Sequence, residues 1–90
     1  MTVGIVGLGL IGGSFAKAYS ENDDYHILAY DINRDVMKAA YDMKIIDGEL
    51  NSHNISGCEL ILIALYPEAT IEYLKSNAPF ISSDTMVIDC

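Results

Sequence analysis

The sequence predicts an α/β domain built on a parallel β-sheet, and three observations favour this class. Apolar runs of strand length alternate with segments of helical periodicity along all 90 residues. A glycine-rich segment separates the first apolar run from the first helical segment. Apolar residues make up 51% of the chain and charged residues 20%, which is sufficient for a core. We therefore expect four to five strands and three helices, with helices on both faces of the sheet.

The individual elements follow from the spacing of the apolar residues. Strands are predicted at residues 2–6, 26–30, 45–46, 59–65 and 86–88, in the sheet order 3-2-1-4-5. Three helices lie between the strands, each with an apolar stripe. The stripe of the first is Ile11, Phe15, Ala18 and Tyr19, and that of the second is Val36, Ala39, Ala40 and Met43. In the third helix Ile71, Leu74 and Ala78 are expected to face inward. Asn33 is suited to cap the second helix, and Pro67 to open the third. Residues 51–57 are polar and predict a loop.

Charge and composition exclude several classes of partner. The chain has 13 acidic and 5 basic residues, a formal charge of −8, which disfavours nucleic acid and anionic membranes. The longest apolar run, residues 60–66, is far shorter than the ~20 residues that cross a bilayer. Cys58 and Cys90 match no metal-binding or disulfide spacing, and the first residues contain no secretory signal. We expect a cytoplasmic protein with no metal.

The segment Gly7-Leu8-Gly9-Leu10-Ile11-Gly12 matches the dinucleotide-binding fingerprint, between a predicted strand and a predicted helix. The first glycine permits the tight turn, the second lets the backbone approach a pyrophosphate, and the third lets the helix pack closely on the sheet. The amides at the start of the helix attract phosphate. The pattern predicts a Rossmann-type cofactor site, in which Leu8, Leu10 and Ile11 contribute backbone groups and Ser14 offers a nearby hydroxyl.

A carboxylate closes the second predicted strand. Asp31 lies 19 residues after Gly12, close to the ~20 expected for the acid that binds the adenosine ribose. Its charge would repel a 2′-phosphate, so NAD is favoured over NADP. Arg34 is a cation that could instead hold such a phosphate, so NADP stays possible. The alternative is a glycine-rich turn without a ligand, in which Asp31 is a solvated strand end.

Several segments resemble the prephenate and arogenate dehydrogenases, enzymes of tyrosine biosynthesis. The resemblance rests on residues 3–14, on the doubled glycine of Gly12-Gly13-Ser14-Phe15, and on residues 30–33, 62–67 and 87–89. It implies oxidative decarboxylation of prephenate to 4-hydroxyphenylpyruvate, with hydride transfer to the nicotinamide. It also implies that Leu65, Tyr66 and Pro67 lie beside the cofactor.

The resemblance covers all 90 residues, but only the first half of that family's cofactor domain. We therefore expect residues 1–90 to form a single dinucleotide-binding domain without the catalytic helical domain. The family's catalytic histidine lies in a Gly-x-His-Pro segment, and neither His26 nor His53 matches it. The expectation is cofactor binding without turnover, no catalytic residue within this chain, and a homodimer or a self-associating fragment. Prephenate would be a partner only of the full-length enzyme.

Two other functions are compatible with the same residues. Another NAD(P)-dependent dehydrogenase or reductase could carry the same glycine turn, although β-hydroxyacid dehydrogenases tend to have Met where this chain has Ile11. A nucleotide-sensing module without chemistry of its own is the third interpretation.

Overall fold

Five strands and three helices alternate along the chain in the computed structural model, which describes residues 1–90. The strands are β1 (Thr2–Val6), β2 (His26–Tyr30), β3 (Gly48–Glu49), β4 (Leu60–Ile63) and β5 (Met86–Asp89). The helices are α1 (Leu10–Ser20), α2 (Arg34–Asp42) and α3 (Pro67–Asn77), and short 3-10 turns occur at Ile55–Gly57 and Ala78–Phe80. The predicted α/β class is confirmed, as is the number of elements. None of the helices has the length and apolar character required to cross a membrane.

All strand pairs are parallel, in the order β3-β2-β1-β4-β5, which confirms the predicted order. The order reverses between β1 and β4, because the chain leaves β3 at one edge and returns beside β1. In open parallel sheets, ligands bind outside the carboxyl ends of the strands at such a reversal. The topology therefore predicts that a ligand binds at the carboxyl ends of β1 and β4.

Each face of the sheet has its own apolar core. One core joins β1 and β2 to α1 and α2, and its buried side chains include Ile5, Ile27 and Met37. The other lies on the opposite face and contains Ile61 and Ile63 of β4. Strands buried on both faces have nearly continuous apolar sequences, which is why the runs in β1 and β4 do not alternate with polar residues.

The buried side of α1 differs from the apolar stripe in its sequence. Gly12 and Ala16 are buried, whereas Ile11 is 57% exposed and Phe15 is 38% exposed. Small residues let the helix axis approach the sheet closely, so the side of α1 with little side-chain volume packs inward. Ile11, Phe15 and Ala18 consequently lie toward solvent, whereas Tyr19 is half-buried against the first core, as the stripe predicts.

The predicted stripes of the other two helices are confirmed only in part, at Ala40 of α2 and Leu74 of α3. In α2 the buried residues are Met37 and Ala40, while Met43 is 70% exposed and Ala39 lies outside the core. Asn33 caps α2 as predicted, accepting hydrogen bonds from the amides of residues 35 and 36. In α3 the predicted inward residues Ile71 and Ala78 are exposed. There Thr70 is buried, and Tyr73, Leu74 and Asn77 are half-buried.

The third strand lies later in the sequence than predicted. Residues 45–46 do not form a strand, because both of their amides donate to the Ala40 carbonyl and so continue the end of α2. Parallel pairing begins when the Asp47 amide donates to the Ile27 carbonyl at 2.7 Å. The strand itself is Gly48–Glu49. Ile46 is apolar because it enters the core, where it is 3% exposed.

The fourth strand is shorter than the predicted 59–65, since regular pairing stops at Ile63. Residues 64–66 turn away from the sheet and lead into α3, which begins at Pro67 as predicted. Within the predicted 51–57 loop, Ile55 opens a 3-10 turn and is fully buried.

Candidate dinucleotide-binding site

The turn after β1 can be made only with a glycine at position 7. Gly7 has φ of +93°, a region that L side chains rarely adopt. A Cβ at this position would lie 2.5 Å from the Ala64 carbonyl oxygen. The Gly7 amide donates to the Tyr30 carbonyl at 2.8 Å, which fixes the turn against the end of β2.

The third glycine of the fingerprint brings α1 into contact with this turn. A Cβ at Gly12 would overlap the Gly7 carbonyl oxygen and would lie 3.3 Å from the Cβ of Ala64. The start of α1 is therefore seated on the turn and on the segment after β4. By contrast, a Cβ at Gly9 would meet no atom within 4 Å, so the outer side of the turn is open.

No side chain caps the amino-terminal end of α1. Gly9 occupies the N-cap position without a side-chain hydrogen bond, and no acidic residue occurs in the first turn. The amides of residues 10–12 have no intrahelical acceptor, and the helix dipole adds positive potential there. Leu10 is 94% exposed, so solutes can reach this end. Open space, free donors and positive potential together fit a pyrophosphate.

Asp31 connects the end of β2 to the glycine turn. Its Oδ2 accepts a hydrogen bond from the Leu8 amide at 2.8 Å, and its Oδ1 accepts one from the Asn33 amide at 2.9 Å. These contacts fix the orientation of the carboxylate. Each oxygen retains further capacity as an acceptor, as two ribose hydroxyls would require. The structure thus brings Asp31 to the turn, and its contact with ribose stays a prediction.

A groove of about 740 Å³ extends from Asp31 toward α3. Ile32, Leu65, Ala69 and Tyr73 contribute to its apolar part. The rings of Tyr30 and Tyr73 lie 6.2 Å apart along it. Burial, with smaller contributions from nearby Cys58 and Tyr30, raises the pKa of Tyr73 to about 12, so the phenol is neutral at physiological pH. A groove of this size and apolar character suits a planar heterocycle beside the ribose.

Arg34, the alternative site for a 2′-phosphate, is paired with a carboxylate. Its Nη2 donates to Oε1 of Glu49 at 2.6 Å, and its Nη1 donates to Oε2 at 3.2 Å. The Glu49 carboxylate raises the pKa of Arg34 through this hydrogen bonding and its charge. In return, Arg34 lowers the pKa of Glu49.

The residues after β4 occupy different positions around the site. Leu65 lines the groove and is close enough to Gly7 that a Cβ there would lie 2.9 Å from its Cδ2. Tyr66 is 87% exposed and lies outside the groove, and Pro67 begins α3. Their contact with cofactor stays a prediction. The Ser14 hydroxyl donates to the Leu10 carbonyl at 2.7 Å, and a contact between Ser14 and cofactor also stays a prediction.

The remaining candidates lie away from the turn. His26 begins β2 at the amino-terminal edge of the sheet, with its Nδ1 3.7 Å from Asp47 Oδ2, and His53 is exposed in a loop. Cys58 is buried in the second core, and Cys90 is exposed. No group of three or more histidine, cysteine or acidic side chains could hold a metal ion.

Two residues of the site were not identified from the sequence. Glu49 is separated from Arg34 by 15 positions, and only the pairing of β3 with β2 brings them together. A strand of two residues, such as β3, leaves only a weak pattern in the sequence, so this pairing was difficult to predict. Tyr73 also lines the groove, and its spacing of four positions from Ala69 is the signal in the sequence that could have placed both on one side of α3.

Comparisons with known proteins agree with this geometry. The family model described as the NAD binding domain of 6-phosphogluconate dehydrogenase matches residues 2–90. No curated protein sequence matches the chain significantly. Among solved structures, arogenate dehydrogenase from Synechocystis is similar with a TM-score of 0.89 at 21% identity, over 99% of this chain and 32% of that one.

Two further solved structures cover the same part of the fold. Prephenate dehydrogenase from A. aeolicus, in complex with hydroxyphenyl propionate and NAD+, has 30% identity and a TM-score of 0.85, over 99% of this chain and 32% of that one. An imine reductase from Streptomyces aurantiacus has 18% identity and a TM-score of 0.79, over 99% of this chain and 31% of that one. The chain thus spans about a third of the length of these proteins. The resemblance to prephenate and arogenate dehydrogenases is confirmed as similarity across the whole chain.

The positive φ of Gly7, the uncapped start of α1 and the carboxylate at the end of β2 are what a dinucleotide-binding turn requires. The family match extends over almost every residue that builds this arrangement. The chain belongs to the family of NAD binding domains described for 6-phosphogluconate dehydrogenase.

Proposed function

We propose that this chain is the cofactor-binding part of a prephenate or arogenate dehydrogenase, an NAD-dependent enzyme of tyrosine biosynthesis. The observation that carries the proposal is the 30% identity to the A. aeolicus prephenate dehydrogenase, aligned over 99% of this chain. The reaction is the oxidative decarboxylation of prephenate to 4-hydroxyphenylpyruvate, or the equivalent reaction of arogenate.

Three parts of the site would each hold one part of the cofactor. The amides at the start of α1 would bind the pyrophosphate, with Gly9 leaving room for it. The Asp31 carboxylate would accept hydrogen bonds from the adenosine ribose. The adenine ring would lie in the groove against Ile32 and Tyr73. When bound, NAD+ supplies the hydride acceptor for the oxidation.

Electrostatics at the ribose end supports NAD rather than NADP as the cofactor. Three carboxylates, those of Asp31, Glu49 and Glu72, line the groove, and no lysine or arginine does. A 2′-phosphate would bring additional negative charge to this region, whereas a neutral hydroxyl can donate to Asp31.

We propose that this chain binds the cofactor and catalyses no reaction by itself. No histidine lies at the glycine turn, since His26 is at the opposite edge of the sheet and His53 is in a loop. We therefore expect the 90-residue chain to bind NAD without turnover, and the substrate to bind only to a longer form of the protein. A cytoplasmic location is part of the proposal, and the unpaired Cys58 and Cys90 are compatible with a reducing compartment.

A second candidate is another dehydrogenase or reductase with the same cofactor domain. The family description names 6-phosphogluconate dehydrogenase, and an imine reductase shares the fold. The cofactor site would be unchanged under this alternative, and only the substrate would differ.

The two candidates are separated by assaying the whole encoded protein with NAD+ and a panel of substrates. Reduced nicotinamide should form with prephenate or arogenate and not with 6-phosphogluconate. The matched control is the Asp31→Ala variant, in which the rate at a limiting NAD+ concentration should fall. Turnover of 6-phosphogluconate alone would contradict the proposal and favour the second candidate.

A further inference from the structure

The Arg34–Glu49 pair lies next to the position expected for the adenosine ribose. Glu49 is paired in the sheet with Ala29, two residues before Asp31. Arg34 is the first residue of α2, three residues after Asp31. Both N–H···O contacts between the guanidinium and the carboxylate are within hydrogen-bonding distance, at 2.6 and 3.2 Å, so the contact is bidentate.

Arg34 is the cation closest in sequence to Asp31, and an arginine at such a place accommodates the 2′-phosphate in enzymes that use NADP. In this structure its two terminal nitrogens already donate to Glu49. Three N–H groups of the guanidinium remain, but a phosphate bound to them would share the cation with the Glu49 carboxylate, and the two negative charges would repel each other. Asp31, Glu49 and Arg34 together carry one net negative charge.

We infer that Glu49 is a specificity-determining residue, which disfavours NADP by pairing with Arg34 and so neutralising the cation next to the expected position of the ribose. The inference rests on the proposed function, because it requires the ribose to lie at Asp31. Asp31 would select the ribose hydroxyl directly, and Glu49 would remove the one cation that could compensate for a phosphate.

The pair can be tested without unfolding the protein. The side chains of Arg34 and Glu49 are 62% and 42% exposed, and exposed ion pairs contribute little to stability. A substitution that breaks this contact therefore affects binding more than folding. The chain also contains a matched control, since Lys38 and Asp42 form an exposed ion pair at 2.8 Å farther along α2.

The experiment is calorimetric titration of NAD+ and NADP+ into the wild-type chain, Glu49→Gln, Arg34→Gln/Glu49→Gln and Asp42→Asn. Glu49→Gln should bind NADP+ about tenfold more tightly than wild type, because a guanidinium–phosphate contact becomes available. The readout is the ratio of the NADP+ and NAD+ affinities of the same variant, which should shift toward NADP+. The double variant should lose the gain, and Asp42→Asn, which removes the same charge, should not show it.

Two results would overturn the inference while leaving NAD binding established. One is an unchanged NADP+ affinity in Glu49→Gln, and the other is a gain that persists in the double variant. An equal gain in Asp42→Asn would show that net charge alone is responsible, which also contradicts a role for Glu49. If the wild-type chain binds neither dinucleotide, the proposed function fails, and the inference fails with it.

Discussion

At the residue scale, Asp31 has two roles, and its position in the sequence alone does not distinguish between them. It orients the glycine turn through the Leu8 amide, and it presents its remaining acceptor capacity at the end of β2. A turn held by a side chain from the neighbouring strand is preorganised, so less conformational freedom is lost when a cofactor binds.

The first prediction concerns this carboxylate. Asp31→Ala should weaken NAD+ binding about 10- to 100-fold and reduce the preference over NADP+, because hydrogen bonds to a charged group are lost. Asp35→Ala is the control, since it removes an acidic residue of the first turn of α2 and should leave both affinities almost unchanged. Calorimetry with both dinucleotides measures the effect. An unchanged preference in Asp31→Ala would refute the role of Asp31.

The second prediction is a pH dependence of stability caused by Tyr73. Burial raises its pKa from 10 to about 12, so its phenol ionises more readily in the unfolded chain than in the folded one. Its stabilising contribution is complete below pH 10 and is lost as the pH rises toward 12. Two pKa units correspond to at most about 2.7 kcal/mol, and partial exposure of the ring reduces this.

Denaturant unfolding between pH 10 and 12 tests this prediction. In Tyr73→Phe the free energy of unfolding should fall less steeply across that range than in wild type. Tyr41→Phe is the control, because Tyr41 is 58% exposed and should leave the slope unchanged. Identical slopes in wild type and Tyr73→Phe would contradict the assignment.

At the element scale, the placement of α1 depends on how closely it can approach the turn. The third prediction compares two adjacent glycines of this helix. Gly12→Ala should destabilise the fold by about 2 kcal/mol or more and weaken NAD+ binding, because its Cβ would overlap the Gly7 carbonyl. Gly13→Ala should change stability by less than about 1 kcal/mol, and upward, because alanine favours the helix.

Both variants add the same methyl group, but its surroundings differ. A Cβ at Gly13 would meet only the Leu8 carbonyl oxygen, at 3.4 Å. Thermal unfolding and NAD+ titration of both variants measure the contrast. Equal stability of the two variants would show that close packing of α1 on the turn is not required.

The same elements show what could be predicted from the sequence and what could not. The extents of β1 and β2, the cap at Asn33 and the start of α3 at Pro67 agree with the sequence, because strand composition, capping and proline act locally. The buried side of α1 was not predictable from hydrophobicity, since Gly12 and Ala16 contribute little apolar area. Strand β3 was displaced because Ile46 is apolar for core packing and not for pairing.

Some residues of the site could likewise be predicted from the sequence, and others could not. The glycine turn and Asp31 could be predicted, because their spacing in the sequence is itself set by one strand–turn–helix–strand unit. The contact between Arg34 and Glu49 could not, because it depends on the register between β2 and a strand of two residues. The groove toward α3 likewise depends on how a later crossover helix packs against β2.

At the scale of the whole molecule, the two edges of the sheet differ. The β3 edge has two residues, whereas β5 has four, and all four are exposed. Met86 is 63% exposed, Val87 39% and Ile88 42%. An apolar strand with one free edge is a template for pairing with another chain.

The fourth prediction is that the 90-residue chain self-associates through this edge, as expected for a homodimer or a self-associating fragment. Sedimentation over a range of concentrations should show a mass that increases with concentration. Ile88→Lys should shift the chain toward monomer, because a charged edge side chain opposes pairing. Ile71→Lys, on the exposed side of α3, should associate as wild type does. A monomer at every concentration would contradict the prediction.

The central claim is that the turn between β1 and α1 binds a dinucleotide through its backbone amides. The most direct measurement is amide chemical-shift mapping by NMR during titration of the isotope-labelled chain with NAD+. The account predicts saturable shifts that are largest for residues 7–12 and Asp31, with smaller shifts along the groove at Ile32 and Tyr73. Shifts confined to the opposite edge of the sheet near His26, or no shift at high NAD+ concentration, would contradict it.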